Sequence, residues 1–150
     1  MPLDESYVGR AYPPTEPYEV GREKIREFAE AIGETSGVYT DPKAARALGH
    51  PDVIAPPTFV FSLSYRAAHQ VIHDPQLGLD YSRVVHGDQG FQYVRPVRAG
   101  DWLSVTSTIE SVRTMAGNDI LVVRGDVHDK GGELVVTART MLVARGADGK

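Results

Sequence analysis

Cysteine is missing from this sequence, which excludes disulfides, thiolate nucleophiles and cysteine-ligated zinc, and leaves a reducing cytosol as the expected compartment. Missing too is any apolar run near the ~20 residues that a membrane span requires. The opening "MPLDESYVGRAYPP" has no charged start followed by an apolar stretch, so a soluble, cytoplasmic protein without a membrane partner is expected. Nor is there an excess of positive charge. Sixteen Lys and Arg face 20 Asp and Glu, for a net charge of -4, and their scatter along the chain gives no footprint for nucleic acid. No internal repeat or low-complexity tract occurs. What is present is 150 residues, 41% of them hydrophobic, enough to bury a core as one domain spanning 1–150.

The first half carries helical spacing. In "YEVGREKIREFAEAIG" a brief extended piece leads into Ile25, Phe28, Ala29 and Ile32 on one face, with Gly33 as the stop. "TDPKAARALGH" predicts a short second helix, with Thr40 or Asp41 as N-cap, Pro42 at the first helical position and Gly49 past the end. "PPTFVFSLSYRAAHQVIHDP" opens on prolines and spreads apolar residues around most of the helical circumference, the pattern of a buried helix.

After Gly78 the period becomes two. "RVVHGDQGFQYVRPV" places Phe91 and Tyr93 on one face, and "WLSVTSTIESV" alternates Leu103, Val105 and Ile109 with Trp102, Ser104, Thr106 and Thr108. "AGND" and "DKGGE" are turn signals, so the last three strands are expected to form an antiparallel meander. The tail "GADGK" is expected to fray. The whole is α+β: a long buried helix wrapped by a curved antiparallel sheet, resembling the hot-dog fold. Open sheet edges in such an arrangement predict a dimer joined edge to edge.

Four groups of residues bear on chemistry. "GETSGVYTD" sets a carboxylate, Glu34, near a phenol, Tyr39, in a glycine-flanked loop; the plainer reading is a hydrogen-bonded loop between helices. "HGDQ" sets His86 and Asp88 two apart on a strand, hence on one face, beside Gly87 and Gly90. His69 and His73 have helical metal-ligand spacing, but no third ligand accompanies them, and no metal or cofactor is expected. Pro56-Pro57 reads most simply as a helix start, and Phe59, Phe61, Leu63 and Tyr65 as core residues, or as cleft lining where they face a cavity.

The order helix, "GETSGVYTD", short helix, "LGHPDVIAPPTF", buried helix and strands resembles the MaoC or hydratase-2 family of hot-dog proteins, which includes (3R)-hydroxyacyl dehydratases and (R)-specific enoyl hydratases. There a helix ends in Gly-Asp-x-Asn-Pro-x-His-x-Asp. Against that pattern Gly33 and Asp41 match, Glu34 stands in place of the catalytic aspartate, Ser36-Gly37 replaces Asn-Pro, and Tyr39 stands in place of the catalytic histidine. Elimination of water from a 3-hydroxyacyl thioester needs groups that exchange protons near neutral pH. Imidazoles do so near ~6.5, whereas phenols titrate near ~10. Pro56-Pro57 replaces the family's His-Gly, removing an N–H that would polarise the thioester carbonyl; the Thr58 N–H is the remaining donor.

"YEVGREKIREFAEAIGE", "APPTFVFSLSY" and "FQYVRPVRAGD" are most similar to one subgroup: the non-catalytic partner in actinobacterial heterodimeric (3R)-hydroxyacyl-ACP dehydratases, and the N-terminal domains of FAS1-like dehydratases. The resemblance implies an acyl-thioester-binding subunit, its substrate on coenzyme A or acyl carrier protein. Pro57, Thr58, Phe59, Phe61 and Tyr65 would lie at the acyl cleft, and Asp and His would come from the partner. It leaves open a homodimer or a heterodimer, an autonomous hydratase using Glu34, His86 or Asp88, and a purely acyl-CoA-binding protein. Arg95 and Arg98 could meet a phosphopantetheine arm or be solvated strand ends.

Overall fold

The computed structural model describes residues 3–146, so the tail beyond Gly146 lies outside the described residues. Helix α1, Arg22–Ala31, buries Ile25 and Ala29 and turns its solvent face into ion pairs, with Arg26 held between Glu23 and Glu30 at 2.8 Å each. Gly33 ends it as its spacing predicts. Its φ of 76° lets its N–H reach Glu30 O at 3.1 Å while the Glu34 N–H reaches Ala29 O at 2.9 Å, the paired bonds of a Schellman stop. Ile32, expected on the apolar face, is the C-cap and stands half exposed.

A single 3-10 turn, Gly37–Tyr39, follows, and then α2, Pro42–Ala47. Asp41 rather than Thr40 is the N-cap, its carboxylate accepting from Lys43 N at 2.9 Å. The third helix differs from the expectation at its start. The Phe59 N–H bonds Pro56 O at 2.9 Å and the Phe61 N–H bonds Thr58 O at 3.1 Å, so the prolines open an isolated turn and α3 runs only over Phe61–Ile72. It buries Leu63, Ser64, Ala67, Ala68, Val71 and Ile72, a single face. Its opposite side, Phe61, Tyr65, His69 and His73, is partly exposed or exposed.

The buried face lies on a five-stranded antiparallel sheet of order β1-β3-β4-β5-β2, with β1 Tyr18–Glu19, β2 Val84–Tyr93, β3 Trp102–Met115, β4 Asn118–His128 and β5 Leu134–Ala144. The expected meander is β3-β4-β5. Ala116 and Gly117 close its first hairpin with φ of 52° and 77°, the left-handed pair that a two-residue loop demands. The second closes through Asp129, whose carboxylate accepts from the N–H of Gly131 and of Glu133. Helix and sheet approach closely at Gly125, where an added Cβ would sit 3.3 Å from Val105 and 3.4 Å from Ser64.

The two sheet edges are treated differently. Along the free side of β3 the chain lays its own N-terminal segment: Gly9 N bonds Ile109 O, Tyr12 N bonds Ser107 O, Thr15 N bonds Val105 O and Val20 N bonds Asp101 O, at 2.8–3.0 Å. At the other edge β2 pairs with β5 alone among the described residues. A ten-residue edge strand without Lys or Pro leaves a row of backbone donors and acceptors ready for another strand.

Candidate functional site

The "GETSGVYTD" loop spans the Schellman stop and the 3-10 turn, and its two singled-out side chains have separate surroundings. Glu34 is exposed, whereas Tyr39 is half-buried and packs against the core around Val38 and Phe59. No hydrogen bond joins them among the described residues. Behind the loop, Ile54 N bonds Val38 O at 3.2 Å, so the segment leading to the prolines runs alongside it. Pro56 is buried and Pro57 exposed, and the Pro57 carbonyl accepts from the Tyr93 hydroxyl. Burial pushes the Tyr93 phenol up to about 12, which keeps it protonated and donating. Thr58 precedes α3 by one turn; its carbonyl is taken by Phe61, and its N–H has no backbone acceptor among the described residues.

The "HGDQ" segment departs from simple alternation. A β-bulge falls between His86, opposite Leu142, and Asp88, opposite Met141. Cross-strand partners share a face, so the bulge corrects the expectation that both side chains point the same way: His86 turns inward with buried Leu142 and Asp88 turns outward. Gly87 occupies the bulge, where a Cβ would come within 2.9 Å of Met141 Cε and 3.2 Å of Val143 Cγ2. On the inward face His86, itself exposed, has Nε2 at 3.1 Å from Gln89 Oε1, and the same oxygen accepts from Thr140 Oγ1 at 2.8 Å. Gln89 and Thr140 have no sequence signal of their own. The two glycines flanking "DQ" were the clue to an irregular strand.

His86 also meets the open side of α3. Its ring lies 5.6 Å from Phe61, and from there rings follow one another along the helix: Phe61 to Tyr65 at 5.3 Å, Tyr65 to His69 at 5.1 Å, His69 to His73 at 5.5 Å and His73 to Tyr81 at 5.8 Å. Steps of four residues put these side chains in one row. Tyr65 and Tyr81 share a hydroxyl contact of 3.2 Å, and that contact, followed by burial, raises Tyr65 to about 12. The aromatic row and the edge of β2 thus form one surface. His69 and His73 are ring neighbours within it, and no cluster of three or more His, Asp or Glu suited to a metal exists among the described residues.

The cleft residues divide three ways. Phe59 is 2% exposed and stacks edge-on against Phe28 at 5.5 Å, deep in the core. Phe61 and Tyr65 belong to the surface row. Leu63 faces the other flank of α3, where with Leu103, Val105, Tyr18 and Arg66 it lines a slot of about 260 Å3 beneath the N-terminal segment.

The two arginines of "RPVRAGD" also part company. Arg95 is bound by Asp101 at 2.9 Å through both terminal nitrogens and by Asp129 at 3.4 Å. Hydrogen bonds to Asp101 raise its affinity for its proton, and the group ties two loops together. Arg98 has its backbone N–H on Asp101 at 2.9 Å, while its guanidinium meets no partner among the described residues.

Comparison with known proteins places this geometry in a family. The FAS1-like dehydratase domain region matches residues 6–138. A UPF0336 protein of Streptomyces griseus subsp. griseus is 74% identical over 148 residues, 99% of each chain. Among solved structures, a MaoC-like dehydratase superposes with a TM-score of 0.88 at 34% identity, over 95% of this chain and 43% of the other. A chain of the C-terminally truncated HadBC (3R-hydroxyacyl-ACP dehydratase) complex from Mycobacterium tuberculosis superposes at 0.83 with 33% identity, over 95% and 99%. The family match and the superposition agree: the chain belongs to the FAS1-like dehydratase region family and has the hot-dog fold of MaoC-like dehydratases.

Proposed function

We propose that this protein is an acyl-thioester-binding subunit of a (3R)-hydroxyacyl dehydratase or enoyl hydratase, working beside a catalytic subunit of the same fold. The observation that carries the reading is the outer edge of β2, Val84–Tyr93, which has no strand partner among the described residues and is bordered by the aromatic row of α3. A second hot-dog sheet joined there would satisfy the edge and cover the row. The composition of the loop agrees: it offers a phenol at Tyr39 and an exposed carboxylate at Glu34 but no imidazole, so the acid and base would come from the partner. The likeness to a chain of a complex supports a partner of similar shape. Cytoplasmic operation and a carrier-borne thioester belong to the same proposal.

One observation favours a second reading. His86 is exposed on the α3-facing side of β2 with the Phe61 ring beside it, so an autonomous hydratase could take it as base. Hydration of crotonyl-CoA separates the readings. The purified chain alone is expected to be inactive, and activity is expected once a MaoC-like protein that retains Asp-x-Asn-Pro-x-His is added. Full turnover by the isolated chain refutes the subunit reading, and binding without turnover in either setting leaves a pure acyl-CoA-binding protein.

A further inference from the structure

The row along α3 carries imidazoles as well as apolar rings. His86 lies against Phe61, and further along the helix His69 and His73 have ring centroids 5.5 Å apart. His69 is half-buried beside Tyr65 and His73 is exposed beside Tyr81, so water reaches the pair on the free chain. The charged groups of the neighbouring elements are directed elsewhere. Asp74, next in the chain, accepts from Arg10 at 3.0 Å and from the Tyr12 hydroxyl at 2.7 Å, both in the N-terminal segment. Asp80 accepts from Ser82 and pairs with Arg83 at 3.2 Å. Asp88 is turned outward by the β2 bulge, and Arg66 lines the slot on the other flank of α3. The flanking phenols Tyr65 and Tyr81 hydrogen-bond each other. Among the described residues no carboxylate joins the two imidazoles in a cluster, so positive charge on His69 and His73 is balanced only by water.

We propose that His69 and His73, with His86 as a third member, make association with the partner subunit sensitive to protons: the complex forms with neutral imidazoles and comes apart on acidification. This rests on the subunit reading above and adds a regulation of the same surface. A second sheet joined at β2 covers the row and removes the water that balances its charge. Removing that water penalises the charged form of an imidazole, and two like charges 5.5 Å apart repel more strongly once it is gone. The bound state therefore holds fewer protons than the free chain. Association is accordingly complete above the ~6.5 at which an imidazole ordinarily titrates, and it weakens as pH falls through that value.

The test is surface plasmon resonance of this chain over an immobilised MaoC-like protein that retains Asp-x-Asn-Pro-x-His, at about pH 7.5 and about pH 5.5, on either side of the imidazole range. The wild-type Kd is expected to rise at least about tenfold at the lower pH, the change produced when covering lowers the proton affinity of one imidazole by one unit. The double variant His69→Gln, His73→Gln should lose most of that rise, whatever its Kd at the higher pH, and His86→Gln added to it should remove the rest. Arg66→Gln, on the other flank of the helix, should keep the wild-type response. A wild-type Kd that does not change with pH overturns the proton sensitivity and leaves the subunit reading standing. So does a double variant whose Kd rises as far as the wild type's, which is also what loss of fold in acid would produce. No association at the higher pH overturns the subunit reading itself, and this inference with it.

Discussion

Replacing Phe59 and Phe61 one at a time by alanine should give opposite outcomes, although the two are neighbours but one. Phe59 is 2% exposed and packs edge-on against Phe28. Truncating a buried phenylalanine costs about 4 kcal/mol through lost burial and the cavity left behind. In a chain of this length that lowers Tm by roughly 12 °C at about 3 °C per kcal/mol. Phe61 is only partly buried and touches the rings of Tyr65 and His86, so its truncation costs about 1 kcal/mol, or roughly 3 °C. Thermal unfolding by circular dichroism, at one fixed protein concentration, measures the difference. Phe61→Ala should nonetheless weaken association with a catalytic partner, which Phe59→Ala affects only through loss of fold. Equal falls in Tm would refute the division of these residues into core and interface, and so would a Phe61→Ala protein that assembles normally.

Two further outcomes follow from the geometry. Tyr93 has a folded pKa raised by burial to about 12, above the ~10 of an unfolded phenol. Its contribution is whole below pH ~10 and is lost as pH rises from ~10 toward 12. Urea unfolding of Tyr93→Phe should show about 1 kcal/mol less stability at neutral pH, from the lost bond to Pro57 O, and a weaker dependence on alkaline pH. A second perturbation addresses the edge: Val85→Lys puts a charge on exposed β2 and should abolish strand joining, read as a lower mass in light scattering, with little change in the Tm of the isolated chain.

Much of this was legible in the sequence because it rests on local chemistry. Gly33, Asp41 and Pro42 act within one turn of their own positions, and the alternation of β3, β4 and β5 follows from burying one face. The bulge at Gly87 was not legible. Period-two reasoning assumes an unbroken ladder, and only pairing with β5 reveals that Leu142 and Met141 face His86 and Asp88 in turn. The start of α3 was misplaced for a related reason: prolines permit a helix to begin, but bonds from Phe59 to Pro56 and from Phe61 to Thr58 close a separate turn first. That shift separates Phe59 from Phe61. The segment 9–20 has no hydrophobic period, so nothing local marked it as the cover of the β3 edge. At the candidate site the sequence brought forward His86, whereas its contact with Gln89, three residues along the same strand, and the bond from Thr140 of β5 to Gln89 emerge only in the folded sheet.

The subunit reading is tested most directly by side-specific substitution in a reconstituted complex, with crotonyl-CoA hydration as the readout. Tyr39→Phe and His86→Ala in this chain are expected to leave the rate of the complex within about twofold, while replacing the partner's motif histidine should lower it by at least ~10²-fold. Hydration by this chain alone, lost on His86→Ala, would contradict the account.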